Sequence, residues 1–131
     1  MKKFIIAIDQ GTTSSRSILF DLKGKPIFSS QKEFKQYFPK NGWVEHDPEE
    51  IWMKTKKTLI EVIKKANKMK GKILTIGITN QRETTILWNK KTGKVIYRAI
   101  VWQDRRTEKF CKKLRDQNKE TAIFNKTGLL I

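Results

Sequence analysis

Apolar and polar positions divide the chain into short blocks with different periods. Residues 4–9 hold the run Phe4-Ile5-Ile6-Ala7-Ile8, closed by Asp9, the pattern of a buried strand. The polar, small-residue stretch Gln10-Gly11-Thr12-Thr13-Ser14-Ser15 reads as a turn, and Arg16-Ser17-Ile18-Leu19-Phe20 as a second strand. Asp21 to Lys25 forms another turn in which Gly24 can take positive φ, and a third, partly alternating strand runs from about Pro26 to Phe34. Three strands joined by short turns predict an antiparallel meander.

Residues 35–47 carry Pro39, Asn41 and Gly42 and read as a loop. Asp47-Pro48-Glu49-Glu50 then announces a helix: Asp47 as the cap, Pro48 at the first helical position, and Glu50 placed for a capping box. Ile51, Trp52, Leu59, Val62, Ile63 and Ala66 follow at helical spacing; Lys64, Lys65 and Lys68 suit the C-terminal end of the dipole, and Gly71 is the expected stop. Residues 73–79 predict another buried strand. A hairpin is expected from 84–88 through a turn at 89–93 to 95–97. The apolar run Ala99-Ile100-Val101-Trp102 precedes helices from Arg106 to about Gln117 and from Glu120 to Asn125. The order β-β-β-α-β, then further β and α, predicts an α/β domain with a mixed sheet, and the 131 residues fit one domain, 1–131.

Composition narrows the choices. Hydrophobic residues make up 37% and aromatics 10%, so the chain can form a packed core. One cysteine, Cys111, excludes an internal disulfide; with His46 as the only histidine, there are too few ligands for a Cys/His zinc site. Asp9 interrupts the first apolar run too early for a signal peptide, and no stretch is long enough to span a membrane, so a cytoplasmic location is expected. The net charge of +16 raises the alternative of a basic nucleic-acid-binding domain. The excess, however, is 23 Lys against 6 Arg, spread along the chain without a long block. That distribution fits a solvated surface better than a module reading bases with Arg and aromatics, and no nucleic-acid partner is expected.

Two segments carry chemistry on their residues alone. Asp9-Gln10-Gly11-Thr12-Thr13-Ser14-Ser15-Arg16 sets backbone N–H groups and several hydroxyls in one turn between strands, a nest suited to phosphate oxygens. Thr12, Thr13, Ser14 and Arg16 are its candidate phosphate ligands, Arg16 as a fork donor. Asp9, at the strand end, is placed to hold Mg²⁺ through water. The alternative is a plain polar hairpin turn; it is not a Walker loop, because GK[ST] is missing. In Gly77-Ile78-Thr79-Asn80-Gln81-Arg82-Glu83-Thr84-Thr85, the adjacent Arg82 and Glu83 offer donors and acceptors to hydroxyl groups, although a surface salt bridge at a strand end is the commoner use of such a pair. In a third segment, Ala99 to Thr107, Trp102 could lay an apolar face along a small polyol or simply pack in the core.

The first segment resembles the phosphate loop of the actin-like ATPase superfamily, and Asp-Gln-Gly-Thr-Thr-Ser-Ser-Arg is similar to the form found in glycerol kinases of the FGGY carbohydrate kinase family. Asn80-Gln81-Arg82-Glu83-Thr84-Thr85, the segment around Trp102, and Gly42-Trp43-Val44-Glu45-His46-Asp47-Pro48 resemble the same family in the same order across nearly the entire chain. The resemblance implies an actin-like (ribonuclease H-like) fold, of which this is the N-terminal part. It implies ATP and Mg²⁺ as cofactors and phosphorylation of glycerol to sn-glycerol 3-phosphate, with Arg82, Glu83 and Trp102 as glycerol ligands. Asp104, where some relatives carry Cys, receives no role, and the 42–48 loop a structural one. The family is several times longer, with its general base outside this stretch, so no catalytic residue is expected here and the isolated chain is expected to be inactive. A homo-oligomer of the full-length enzyme is left open, as are a kinase for another sugar and a binding fragment without catalysis.

Overall fold

The computed structural model describes residues Met1–Ile131. Its main body is a four-stranded mixed sheet crossed by one long helix. Strands β1 (Lys2–Gln10), β2 (Ser14–Asp21) and β3 (Pro26–Glu33) form the expected antiparallel meander. Helix α1 (Pro48–Lys68) then carries the chain over the sheet to β5 (Gly71–Thr79), which lies parallel to β1. The strand order is β3-β2-β1-β5. A second, two-stranded sheet pairs β4 (Glu45–His46) with β6 (Ala99–Ile100), and two short helices, α2 (Glu108–Asp116) and α3 (Glu120–Thr127), complete the chain.

Alternation explains which face is buried. Phe4, Ile6 and Ile8 of β1 and Leu19 of β2 point at α1 and meet Val62 and Ala66, with Leu59, Ile63 and Ile73 packed around them. Each of the fully buried large side chains contributes roughly 1.5–3 kcal/mol by leaving water. Only this face of β1 is closed; Ile5 and Ala7 remain half-exposed, so the strand is not buried on both sides as its unbroken apolar run suggested. Trp52, expected on the helix's apolar stripe, is 61% exposed.

The helix ends differ in detail from expectation. Asp47 caps by accepting from the Glu49 N–H at 2.9 Å, but Glu50 does not reach back to it. Glu50 instead accepts from the Lys35 N–H at 3.3 Å and pairs with Lys54, so the capping box is half-formed. At the other end Lys70, at φ 52°, makes the left-handed exit expected of Gly71. Gly71 serves another purpose: a Cβ there would overlap the Phe4 ring, so only glycine lets β5 start beside β1.

The remaining corrections lie in the second half. β5 forms where expected, yet it is the edge of the sheet and most of it is exposed, Ile78 at 73%. The hairpin expected at 84–88 and 95–97 is reduced to one bridge, Trp88 to Val95, around a turn closed by Asn89 and Lys94. With Leu87, Trp88, Ile96 and Tyr97 all exposed, the two segments have no covering face, and a lone two-stranded ribbon has little to hold it. Conversely, the loop at 35–47 contains β4, too short to register as a periodic pattern.

Candidate functional site

The first turn is built tightly. The Gly11 N–H bonds the Ser14 carbonyl at 3.0 Å, and a Cβ on Gly11 would sit equally close to that oxygen. Beneath the turn runs a polar seam to α1. Gln10 donates to Ser15 Oγ at 3.0 Å, Thr55 donates to Gln10 Oε1 at 2.7 Å, and Ser17 lies 2.9 Å from Thr58. The Thr58 hydroxyl donates its one hydrogen to the Thr55 carbonyl, so Ser17 is the donor of that pair. Fully buried hydroxyls thus tie the turn to the helix with their hydrogen bonds satisfied.

An open cleft of about 350 Å³ lies between this turn and the C-terminal end of β5, lined by Asp9, Gln10, Gly11, Thr12, Asn80, Gln81, Arg82, Glu83 and Trp102. The fold therefore unites residues from three segments that are far apart in sequence. Asp9, Thr12, Arg82, Glu83 and Trp102 were expected from the sequence; Gln10, Asn80 and Gln81 were not singled out, having no distinguishing pattern beyond adjacency. Thr13, Ser14 and Arg16 lie outside the cleft's lining. Thr13 offers its carbonyl to the Phe34 N–H at 3.2 Å, Ser14 accepts from Gln31 at 2.9 Å, and Arg16 is held on Asp9 at 2.7 Å.

Arg82 and Glu83 are exposed, and neither enters an ion pair of the chain, so the strand-end salt bridge that was their commoner reading does not form. Glu83 takes φ 59°, a left-handed conformation that is costly for a residue with a Cβ and that turns the chain sharply at the cleft wall. Trp102 is half-exposed and does not pack in the core; its indole N–H donates to Thr12 Oγ1 at 3.0 Å, which bridges the turn to the opposite wall.

Behind Trp102 stands an ionic cluster that sequence reasoning passed over. Asp104, almost fully buried, accepts from the Val44 N–H at 2.7 Å and from Arg106 Nε at 2.8 Å. Arg106 also donates to Glu45, which is buried and receives the Tyr97 hydroxyl at 2.8 Å, and its guanidinium lies 3.8 Å from the centre of the Trp43 ring. Burial pushes the Asp104 carboxyl up, but bonds from Arg106 and from the Arg106 and Val44 N–H groups outweigh it and hold the group below its ordinary range. Bonding to Asp104, with help from Glu45, keeps Arg106 charged against its own partial burial. The cluster locks the 42–46 loop to the 99–106 segment.

Mixed sheet, crossover helix and turn-lined cleft together constitute an actin-like fold, and similar solved structures share it. A glycerol kinase from Plasmodium falciparum, solved with ADP, superposes with a TM-score of 0.86 at 37% identity over 98% of this chain and 26% of its own. A gluconate kinase from Lactobacillus acidophilus gives 0.86 at 26% identity, over 98% of this chain and 25% of its own. Glycerol kinases from Oceanobacillus iheyensis and Marinomonas sp. are 58% and 59% identical over 99% and 100% of the chain. Residues 4–131 match the N-terminal domain of the FGGY family of carbohydrate kinases, and the chain belongs to that family. It spans about a quarter of the length of these curated relatives, 26% in each case.

Proposed function

We propose that this chain supplies the phosphate turn and the hydroxyl-reading wall of a kinase that transfers the γ-phosphoryl group of ATP to glycerol, giving sn-glycerol 3-phosphate and ADP. The observation that carries the reading is the cleft itself, where the hydroxyl-rich turn faces an unpaired Arg82–Glu83 couple across Trp102. Identities of 52–59% to glycerol kinases support glycerol over another sugar, which the fold alone does not distinguish.

In the reaction a terminal hydroxyl oxygen bonds to the γ-phosphorus as the bond to the β-phosphate oxygen breaks, and the hydroxyl proton passes to a base. Arg82 donates to glycerol oxygens, Glu83 accepts from glycerol hydroxyls, and the Trp102 face lies along the carbon chain. The amides and hydroxyls of the turn, with Thr12 nearest the cleft and Thr13, Ser14 and Arg16 beside it, receive phosphate oxygens. We assign the base to the part of the enzyme outside this chain, and catalysis to the complete, cytoplasmic enzyme. Asp9 fits a magnesium site: it is one cleft-lining carboxylate, and Mg²⁺ is commonly held by one or two carboxylates together with water and phosphate oxygens. When bound, Mg²⁺ would offset charge on those oxygens.

The test is to assay the full-length enzyme with ATP, Mg²⁺ and a panel of glycerol, gluconate and xylulose. Glycerol-dependent ADP release that exceeds the others is the expected result; selective turnover of a sugar in place of glycerol would overturn the assignment.

A further inference from the structure

Thr12 is gripped from two sides, and the second grip comes from residues outside the cleft. Gln36 Nε2 lies 3.1 Å from the Thr12 carbonyl and 3.4 Å from the Phe34 carbonyl. Two carbonyl oxygens around one amide atom require that atom to be the nitrogen, since the reversed amide would set oxygen against oxygen. Gln36 Oε1 therefore faces His46, whose Nε2 lies 2.5 Å away. An amide oxygen only accepts, so Nε2 carries the imidazole hydrogen. His46 is fully buried against Phe34, and its Nδ1, without a hydrogen-bond partner, is the bare nitrogen. The other grip is Trp102, whose indole can only donate. Thr12 Oγ1 is thus the acceptor of that bond, and its own O–H is left to point elsewhere, at a position that lines the cleft.

We propose that Gln36 is a positioning residue for the phosphate turn: held by His46, it fixes the Thr12 backbone so that the Thr12 hydroxyl presents a donor to the transferring phosphoryl group or its acceptor oxygen. This rests on the kinase reading for its chemistry but not for its geometry. No residue of the relay need touch substrate, so its loss shows in the rate and not in glycerol binding. A turn displaced by a fraction of an ångström lowers the rate of phosphoryl transfer without removing any substrate contact.

Two measurements separate the relay from the kinase assignment. In the full-length enzyme the His46 ring is identified as the histidine ¹⁵N signal that is missing from His46→Gln. A neutral ring with hydrogen on Nε2 at pH 7 is expected, and Gln36→Leu should shift the Gly11, Thr12 and Thr13 amides; hydrogen on Nδ1, or unmoved turn amides, would overturn the relay whether or not the protein is a kinase. In the full-length enzyme, Gln36→Leu is expected to lower kcat by about ten- to a hundredfold with little change in the KM for glycerol. His46→Gln, which keeps a donor toward Gln36, is expected to restore most of what His46→Leu loses. Wild-type kcat in Gln36→Leu, or equal loss in both His46 variants, would overturn the positioning role. Failure of the wild-type enzyme to phosphorylate glycerol would count against the kinase reading only, leaving the spectra to decide the relay.

Discussion

The two walls of the cleft are built by different means. Residues 1–70 contain thirteen of the fifteen buried residues, and the turn at 11–14 stands on a closed core of β1, β2 and α1 with a satisfied polar seam beneath it. Residues 71–131 bury only Ala99 and Val101, while Leu74, Ile76, Ile78 and Phe110 stay exposed and α2 and α3 contain no buried residue. The wall that carries Arg82, Glu83 and Trp102 is fixed by the Asp104–Arg106–Glu45 cluster and the β4–β6 pairing. The turn is held by packing over a satisfied polar seam, and the opposite wall by a few strong polar ties.

If that contrast is right, the polar ties are the weakest place to cut. Arg106→Met leaves Glu45 and Asp104 without their main partner while both remain buried. Removing one member of a buried ion pair typically costs about 3–5 kcal/mol, and the expected loss is of that size. Urea unfolding would measure it. Hydrogen exchange should show faster opening at 99–106 with β1 and β2 still protected; uniform loss across both halves would mean the walls are a single cooperative unit.

On the same wall, at Glu83, function should be lost without loss of structure. Glu83→Gln keeps the shape and the left-handed backbone but replaces a carboxylate acceptor with a neutral amide. A hydrogen bond to a charged group contributes about 1.5–3 kcal/mol, so kcat/KM for glycerol in the full-length enzyme should fall by ten- to a hundredfold with the melting temperature unchanged. An unchanged kcat/KM would remove Glu83 from the polyol site.

Gly71→Ala probes the packed half at its boundary with the open one. The added methyl meets the Phe4 ring, and overpacking of this kind costs about 1–3 kcal/mol. Because Phe4 belongs to the main core, the loss should be accompanied by lowered protection in β1; confinement of the effect to β5 would show that the edge strand moves independently.

The same contrast explains what could be read in advance. The meander, the capped helix and a strand at 73–79 were legible because each has an apolar pattern and a terminator, such as Asp47-Pro48 ahead of α1; that this strand runs parallel to β1 was not read. The candidate residues at Asp9, Thr12, Arg82, Glu83 and Trp102 were legible as contiguous motifs, and the fold brought them together. What escaped was set by tertiary contact alone. Burial of β5 cannot be judged from Ile73-Leu74-Thr75-Ile76, since the same residues serve a covered or an uncovered edge. The ties from Glu45 to Arg106 and from Gln36 to Thr12 join residues 61 and 24 positions apart, and no local pattern announces them. His46 lies in the 42–48 loop that was expected to be structural; it is packed against Phe34, with a bond to Gln36 that its neighbours in sequence do not reveal.

His46 also gives the smallest and most specific check on the packed half. Burial pushes its pKa below the ordinary value of about 6.5, against a weaker opposite influence from the Gln81 side chain. In the unfolded chain the imidazole therefore takes up a proton at a higher pH than in the folded one. The contribution from neutral His46 is full above about pH 6.5 and is lost as the pH falls from there through the folded value. The melting temperature is expected to decline as the pH is lowered from 7 toward 5, before carboxylates titrate. No other side chain ordinarily changes charge in that window, so the decline should vanish in His46→Gln. If it persists unchanged in that variant, the acid-sensitive group lies elsewhere, and the pocket around Phe34 tolerates a charged imidazole that its burial should exclude.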